Sequence, residues 1–374
     1  GADVVKVERP GQGDDTRGWG PPYAKDAQGR DTSEAAYFLS ANRGKRSLTL
    51  DIASPRGGAI ARALAAKADV VLENYKVGTL AKYGLDYASL RAANPGLIYC
   101  SITGFGQDGP YASRAGYDFM IQGMAGLMSV TGEPDGPPEK VGVALVDILT
   151  GLNATIAVLA ALAHRERTGE GQAIDLALFD VMVASMANQA TNYLTSGTAP
   201  GRLGNAHPNI VPYQVFATAD GHIILAVGND GQFQKFCAVA GRPELAADPR
   251  FARNADRVRN RAALIPLLEA ALAERPSAAW LGALEAQGVP CGPINDMAQV
   301  FADPQAVARG LRIDMAHPVA GTVPLVASPL RLSATPVDYV RPPPLLGEHS
   351  AQVLGDWLGL DDEAISDLRQ ADVI

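Results

Sequence analysis

The sequence predicts an α/β fold with a parallel sheet, joined by an antiparallel α+β block over about 209–310. Three observations predict it. Apolar runs bounded by Gly and Pro alternate with helix-period segments through the first half of the chain, the pattern of βαβ units. Tyr213–Ala217 and His222–Val227 flank Ala219-Asp220-Gly221, a hairpin signal that marks a change of architecture. Apolar residues fill 47% of 374 positions, enough for a full core and incompatible with general disorder.

The elements follow in order. Val4–Val7 reads as a buried strand and Ser47–Asp51 as a short one. Ser54 can cap a helix and Pro55 suits its first position, so a helix is expected from there to Lys67. Strand 68–74, short helices at Leu80–Tyr83 and Tyr87–Ala93, and strand 97–102 continue the alternation. Asp118–Ser129 reads as a buried helix and Val141–Val146 as a strand. A strong helix is expected over Ile148–Arg165, with apolar positions 149, 152, 156, 159 and 163 on one face. Strand Ala173–Leu178 and a helix to Leu194 close the first half. After the hairpin come helices at Gln232–Ala240, Ala255–Ala273 and Ser277–Gln287. Beyond Gly310, strands are expected at Val323–Ala327 and Leu330–Ser333, then the Pro-rich 341–344 and a helical tail. The chain opens at Gly1-Ala2-Asp3 without an initiator Met, and a preceding strand and helix are expected.

Composition excludes several classes. The net charge of −8 disfavours a general nucleic-acid binder. Runs such as Ile156–Ala163 fall short of the roughly 20 apolar residues of a membrane span, so no membrane partner is expected. Cys100, Cys237 and Cys291 are odd in number and widely spaced, so neither a disulfide framework nor a zinc site can be built from them. A reducing cytoplasm, or a mitochondrial matrix in a eukaryote, is the expected location. HExxH and GxSxG are absent, Gly104-Phe105-Gly106 lacks the third glycine of a dinucleotide fingerprint, and Gly44-Lys45-Arg46-Ser47 fails as a P-loop. The five histidines lie far apart, and no metal is expected.

The informative block is Gly142-Val143-Ala144-Leu145-Val146-Asp147-Ile148-Leu149-Thr150-Gly151. Asp147 stands alone in an apolar setting between an expected strand and an expected helix. It reads either as a helix N-cap or as a carboxylate able to attack an activated carbonyl.

Six further segments decide how that block is read. They are Gly1–Glu8, Asn42–Ser47, Ala68–Tyr75, Gly104–Tyr111, Arg167–Gln172 and Gly288–Pro293. In this order they are similar to the class III CoA-transferases, the formyl-CoA and carnitine CoA-transferase group, along essentially the whole chain. The resemblance implies that Asp147 is the nucleophile. An aspartyl-acyl anhydride and an aspartyl-CoA thioester would form in turn, with acyl-CoA and a carboxylic acid as substrates and no tightly bound cofactor. It implies CoA contacts at Arg9, Asn74, Lys82, Tyr83 and Gly104; Arg43, Lys45 and Arg46 could add positive charge or simply be solvated. Tyr117 and Asp118 are implied near the reacting groups. The racemases of the same family carry a His where Tyr117 stands, and a phenol with a pKa near 10 is a poor base for an α-proton. Transfer is therefore favoured over 2-methylacyl-CoA racemisation, and the retained Asp147 over a non-catalytic acyl-CoA-binding role. The Gly-rich loops of the formyl-CoA type are not visible between 200 and 260.

Segments 205–216, 227–230, 301–305 and 341–349 are similar to members using succinyl-CoA and a dicarboxylate such as glutarate. His207, Tyr213 and Gln214 are candidates for holding the distal carboxylate. The implied architecture is a Rossmann-like large domain with a parallel sheet built from both chain ends (1–208 and 311–374) and a smaller inserted α+β domain (209–310). The implied assembly is an interlocked homodimer, linked through about 195–212 and 311–345.

Overall fold

The computed structural model describes all 374 residues. They divide into two compact units: 1–116 with 149–178 and 299–374, and 117–148 with 179–298.

In the first unit, Val4–Glu8 pairs in parallel with Lys45–Thr49, Val4 opposite Lys45 and Glu8 opposite Thr49. A separate sheet sets Val70–Glu73, Ile98–Thr103 and Ala173–Ala177 side by side, all parallel. The expected parallel pairing is present, split between two sheets. Helix Pro55–Lys67 starts as the sequence dictates, with Ser54 Oγ accepting the Gly57 N–H at 3.0 Å and Pro55 in the first turn. Glycine is required at 57 because a Cβ there would lie 1.9 Å from the Asp51 carbonyl oxygen. The C-terminal helices Ser350–Leu358 and Asp362–Gln370 return to the start of the chain, where Val353, Leu354, Ile365 and Leu368 pack with Leu48, Leu50 and Leu64.

Several elements here differ from expectation. The antiparallel pair Tyr23–Lys25 and Asp31–Ala35 and the helix Ala36–Asn42 carried no clear signal. Leu330–Ser333 is not a strand; the partner of Gly321–Val326 is Arg312–His317, closed by Gly321 at φ 66°. Leu80–Tyr83 is a 3-10 turn.

The strong central helix covers Leu145–Thr168, and its expected apolar face is the uncovered one. Leu152, Ile156 and Leu159 are 57%, 65% and 60% exposed, while the buried positions are Val146, Thr150, Ala154 and Ala161. Periodicity shows which side avoids water but not what covers it. At 24 residues, the helix is also long and apolar enough to cross a membrane by length and composition. Counting uninterrupted apolar runs missed this, because a helix tolerates isolated polar residues such as Asn153 and Thr155.

In the second unit the hairpin forms as expected, Tyr213–Ala217 against His222–Ala226, and Cys291–Pro293 adds a third antiparallel strand. Phe216, Ile223, Leu225, Phe233, Phe236 and Trp280 form its core. Each such buried side chain stabilises the fold by about 1.5–3 kcal/mol. The expected helix 118–129 is broken at Gly126, whose φ of 94° ends one helix and begins Leu127–Val130. The expected helix 255–273 breaks at Asn260. Val141–Val146 is not a strand: it finds no partner strand, and its last two residues begin the Leu145–Thr168 helix.

Candidate active site

Asp147 is the third residue of its helix. The first N–H groups of a helix lack intrahelical acceptors and need capping. Val146 N–H donates to Asp118 Oδ1 at 2.8 Å, and Ile148 N–H to the Ala144 carbonyl at 3.1 Å. The cap is therefore Asp118, supplied from the first turn of helix Asp118–Met124, and Asp147 is not spent on capping. Asp118 Oδ2 accepts Gln122 Nε2–H at 2.7 Å, so both its oxygens are engaged. Gln122 is fully buried, and its Oε1 accepts the Val141 N–H at 2.9 Å.

The Asp147 side chain reaches solvent and makes no hydrogen bond or ion pair. Its pKa is raised above the ordinary 3.8, first by desolvation among its neighbours and second by the negative charge of Asp118. The carboxylate is thus free of partners, open to solvent on one side and partly desolvated on the other. Tyr117 precedes Asp118 and is 70% exposed; its carbonyl accepts the Ile121 N–H at 3.0 Å, while its hydroxyl makes no hydrogen bond.

The residues expected to bind CoA lie in the first unit. Arg9 and Tyr83 line one cavity of about 180 Å³ together with Tyr75, Thr79, Asp51 and Ala53. Pockets that enclose a whole ligand run to roughly 300–1,000 Å³, so this one suits a fragment such as a base or a phosphate. Arg9 Nη2 rests 2.6 Å from Asp15 Oδ1 with both side chains largely exposed. Such a pair is worth about 0–1 kcal/mol and can give way to a phosphate. Burial raises the Tyr75 pKa, and the nearby Arg9 cation opposes it. Asn74 and Lys82 are exposed and do not line the cavity.

The remaining cations differ among themselves. Arg46 is buried between Asp3 and Asp356, so its charge is already spent on structure. Arg43 donates to the Val326 carbonyl at 2.6 Å. Lys45 is half-buried with Nζ 3.0 Å from Asn42 Oδ1, and desolvation lowers its pKa to about 8. Gly104 has a packing reason for being glycine: a Cβ there would sit 2.5 Å from Gly116 Cα, and one on Gly116 would sit 2.3 Å from Gly104 Cα. In the second unit, His207 and Tyr213 do come together, with ring centroids 5.3 Å apart and the His207 N–H on the Tyr213 carbonyl at 2.9 Å. Burial and then the Arg261 cation lower the His207 pKa. Gln214 lies in the same strand as Tyr213.

The family model described as CoA-transferase family III matches residues 1–350. The chain belongs to this family. The CoA-transferase is 54% identical to the succinate–glutarate CoA-transferase of Agrobacterium fabrum, over 95% of this chain and 89% of that one. It is 43% identical to the human succinyl-CoA:glutarate CoA-transferase, over 100% of this chain and 84% of that one. A crystal structure of a CAIB/BAIF family protein from Brucella suis, 55% identical, superposes with a TM-score of 0.82 over 96% of this chain and 92% of that one. The protein is thus an acyl-CoA:carboxylate CoA-transferase with CoA thioesters as substrates.

Sequence reasoning missed Tyr75, Thr79 and Gln122. Tyr75 ends the segment Ala68–Tyr75, yet only the fold brings it to Arg9. Gln122 follows Asp118 by four residues, one helical turn, and that spacing was the available signal.

Proposed function

We propose that this CoA-transferase moves CoA from succinyl-CoA to glutarate or a closely similar dicarboxylate, with Asp147 as the covalent relay. The observation that carries the substrate reading is the 54% identity to a succinate–glutarate enzyme over nearly the whole chain. The unpartnered carboxylate of Asp147, its pKa raised by partial desolvation and by Asp118, supports the relay. In that reading Asp147 attacks the thioester carbonyl, the C–S bond breaks, and CoA leaves as thiolate with a succinyl-aspartyl anhydride behind it. The thiolate then attacks the aspartyl carbon and succinate departs, which leaves an aspartyl-CoA thioester. The acceptor carboxylate displaces CoA to form a second anhydride, and the thiolate takes the new acyl group and restores Asp147. Thioester and anhydride interconvert without hydrolysis, so no external energy source enters. Arg9, Tyr75, Thr79 and Tyr83 are assigned to part of CoA, Asn74 and Lys82 to its neighbourhood, and His207 and Tyr213 to the acid. The exposed stripe Leu152, Ile156 and Leu159 supports a second copy of the chain as its cover, in an interlocked dimer. The three free thiols support a reducing compartment such as the cytoplasm.

The test is to mix protein, succinyl-CoA and glutarate and follow CoA esters by liquid chromatography. Glutaryl-CoA and succinate should appear in equal amounts; hydrolysis to free CoA alone, or no reaction with any dicarboxylate, refutes the reading. A pH experiment checks the electrostatics. Asp147 acts as the carboxylate, so kcat/KM rises with pH through its pKa. Asp118 raises that pKa, so Asp118→Asn should move the acid limb to lower pH. A limb that stays in place or moves up would contradict the assigned coupling.

A further inference from the structure

We infer that Gln122 is a positioning residue for the transfer: it ties Asp118 to the Val141 amide and so fixes the start of the helix that carries Asp147. The inference rests on Asp147 being the nucleophile.

Burying a primary amide is unfavourable unless its hydrogen bonds are made. Gln122 is fully buried, and it donates to Asp118 Oδ2 at 2.7 Å and accepts from Val141 N–H at 2.9 Å. Asp118 in turn holds the Val146 N–H. These three bonds link helix Asp118–Met124 to both ends of the segment 141–146, immediately before Asp147. Little local structure does that work. Between Val130 and Leu145 there is no helix or strand, and the stretch contains Gly132 at φ 110° together with Pro134, Pro137 and Pro138. Val141 reaches the folded helix only by its bond to Gln122, because its own segment forms no ladder.

The chemistry selects glutamine. Leucine of similar size would strand the Val141 N–H and leave one Asp118 oxygen without its donor. Glutamate would still accept from Val141 but would place a second carboxylate at the 2.7 Å position beside Asp118. Either change frees Asp118 to turn away from Val146. A misplacement of about 1 Å at a reacting group costs on the order of 10²-fold in rate.

The experiment measures kcat, KM for succinyl-CoA and melting temperature for Gln122→Leu, Gln122→Glu and the double swap Gln122→Glu with Asp118→Asn. The swap reverses the bond between the two side chains and keeps the other two: the introduced amide at 118 still accepts from Val146 N–H and now donates to the introduced carboxylate at 122, which still accepts from Val141 N–H; only the long 3.5 Å bond from Gln122 Nε2 to the Val143 carbonyl is lost. Both single variants should lose about 10–100-fold in kcat with KM within about threefold. The swap should recover at least about tenfold over Gln122→Glu alone, which a purely stabilising role would not yield at equal folded fraction. Should Gln122→Leu fail to fold, the isosteric Gln122→Glu and the swap decide alone. A folded single variant with kcat within twofold of the parent, or a folded swap with no recovery, overturns the inference. Asp147→Ala in the same assay separates the two readings. If it retains transfer, the nucleophile assignment falls whatever Gln122 does. If it is inactive while Gln122→Leu keeps parental kcat, only the role of Gln122 falls.

Discussion

Replacing Asp147 by alanine is expected to leave a folded protein that transfers CoA at least about 10⁴-fold more slowly, the scale of loss when an enzymatic nucleophile is deleted. Folding should survive because the carboxylate makes no hydrogen bond or ion pair, and the cap of its helix belongs to Asp118. The melting temperature should even rise slightly, because a desolvated carboxylate repelled by a neighbour is a liability to the folded state. Asp147→Asn is the stricter variant: it keeps shape and polarity and removes only the charge that attacks. Intact-mass measurement after addition of succinyl-CoA without an acceptor should show a covalent CoA adduct on the parent and none on either variant. Transfer at a tenth of the parental rate or better in Asp147→Ala, or an adduct that persists in it, would place the nucleophile elsewhere.

What the sequence discloses about this site divides along the line between local and non-local physics. Ser54 and Pro55 placed a helix start correctly because capping and φ restriction act within three residues. Asp147 stands out for its apolar surroundings, which leave an N-cap and a reactive carboxylate both open, and the strand expected before it does not form. The cap arrives from Asp118, 28 residues before Val146, and no local pattern announces it. Val141–Val146 has strand composition yet lacks a partner strand, and strand propensity expresses itself only where a neighbour offers a pleated surface. Cys291–Pro293 is the converse: three residues of weak propensity become a strand because the Ile223–Leu225 edge is there to pair with them. Arg9 and Tyr83 were each singled out, but their convergence with Tyr75 and Thr79 on one cavity is a product of the fold. Arg46 reads from sequence as extra positive charge or as a solvated side chain, and it is neither, because it is buried against Asp3 and Asp356.

Arg257→Ala is expected to cost the second unit about 3–5 kcal/mol, the range for breaking a buried charged network from one side. The side chain is completely buried in the core of that unit. Its Nε donates to the Val211 carbonyl at 2.6 Å, Nη1 to the Phe251 carbonyl at 2.9 Å and Nη2 to Asp230 Oδ1 at 2.9 Å. The guanidinium also lies over the Phe233 ring at 4.4 Å. Losing it strands the Val211 and Phe251 carbonyl oxygens, removes a longer bond to the Ala252 carbonyl at 3.4 Å, opens a cavity beside Phe233 and removes a desolvated cation–π contact. Asp230 contributes less to the loss. Its side chain is 47% exposed, stands in the first turn of helix Asp230–Val239 and keeps the Asn254 N–H at 2.9 Å, so it can rehydrate. The damage therefore falls on the carbonyls and the packing, and retaining positive charge alone should not repair it. Arg257→Lys cannot reproduce the fork, and it should recover less than half of the lost stability. For a unit of this size the alanine change should lower the melting temperature by roughly 6–20 °C. A shift within 2 °C, or full recovery by lysine, would show that charge rather than the forked bonding holds this core. The same variant also separates stability from chemistry. Arg257 touches none of the groups assigned to the reaction, so activity per folded molecule should stay near the parental value at low temperature and fall only as the unit unfolds.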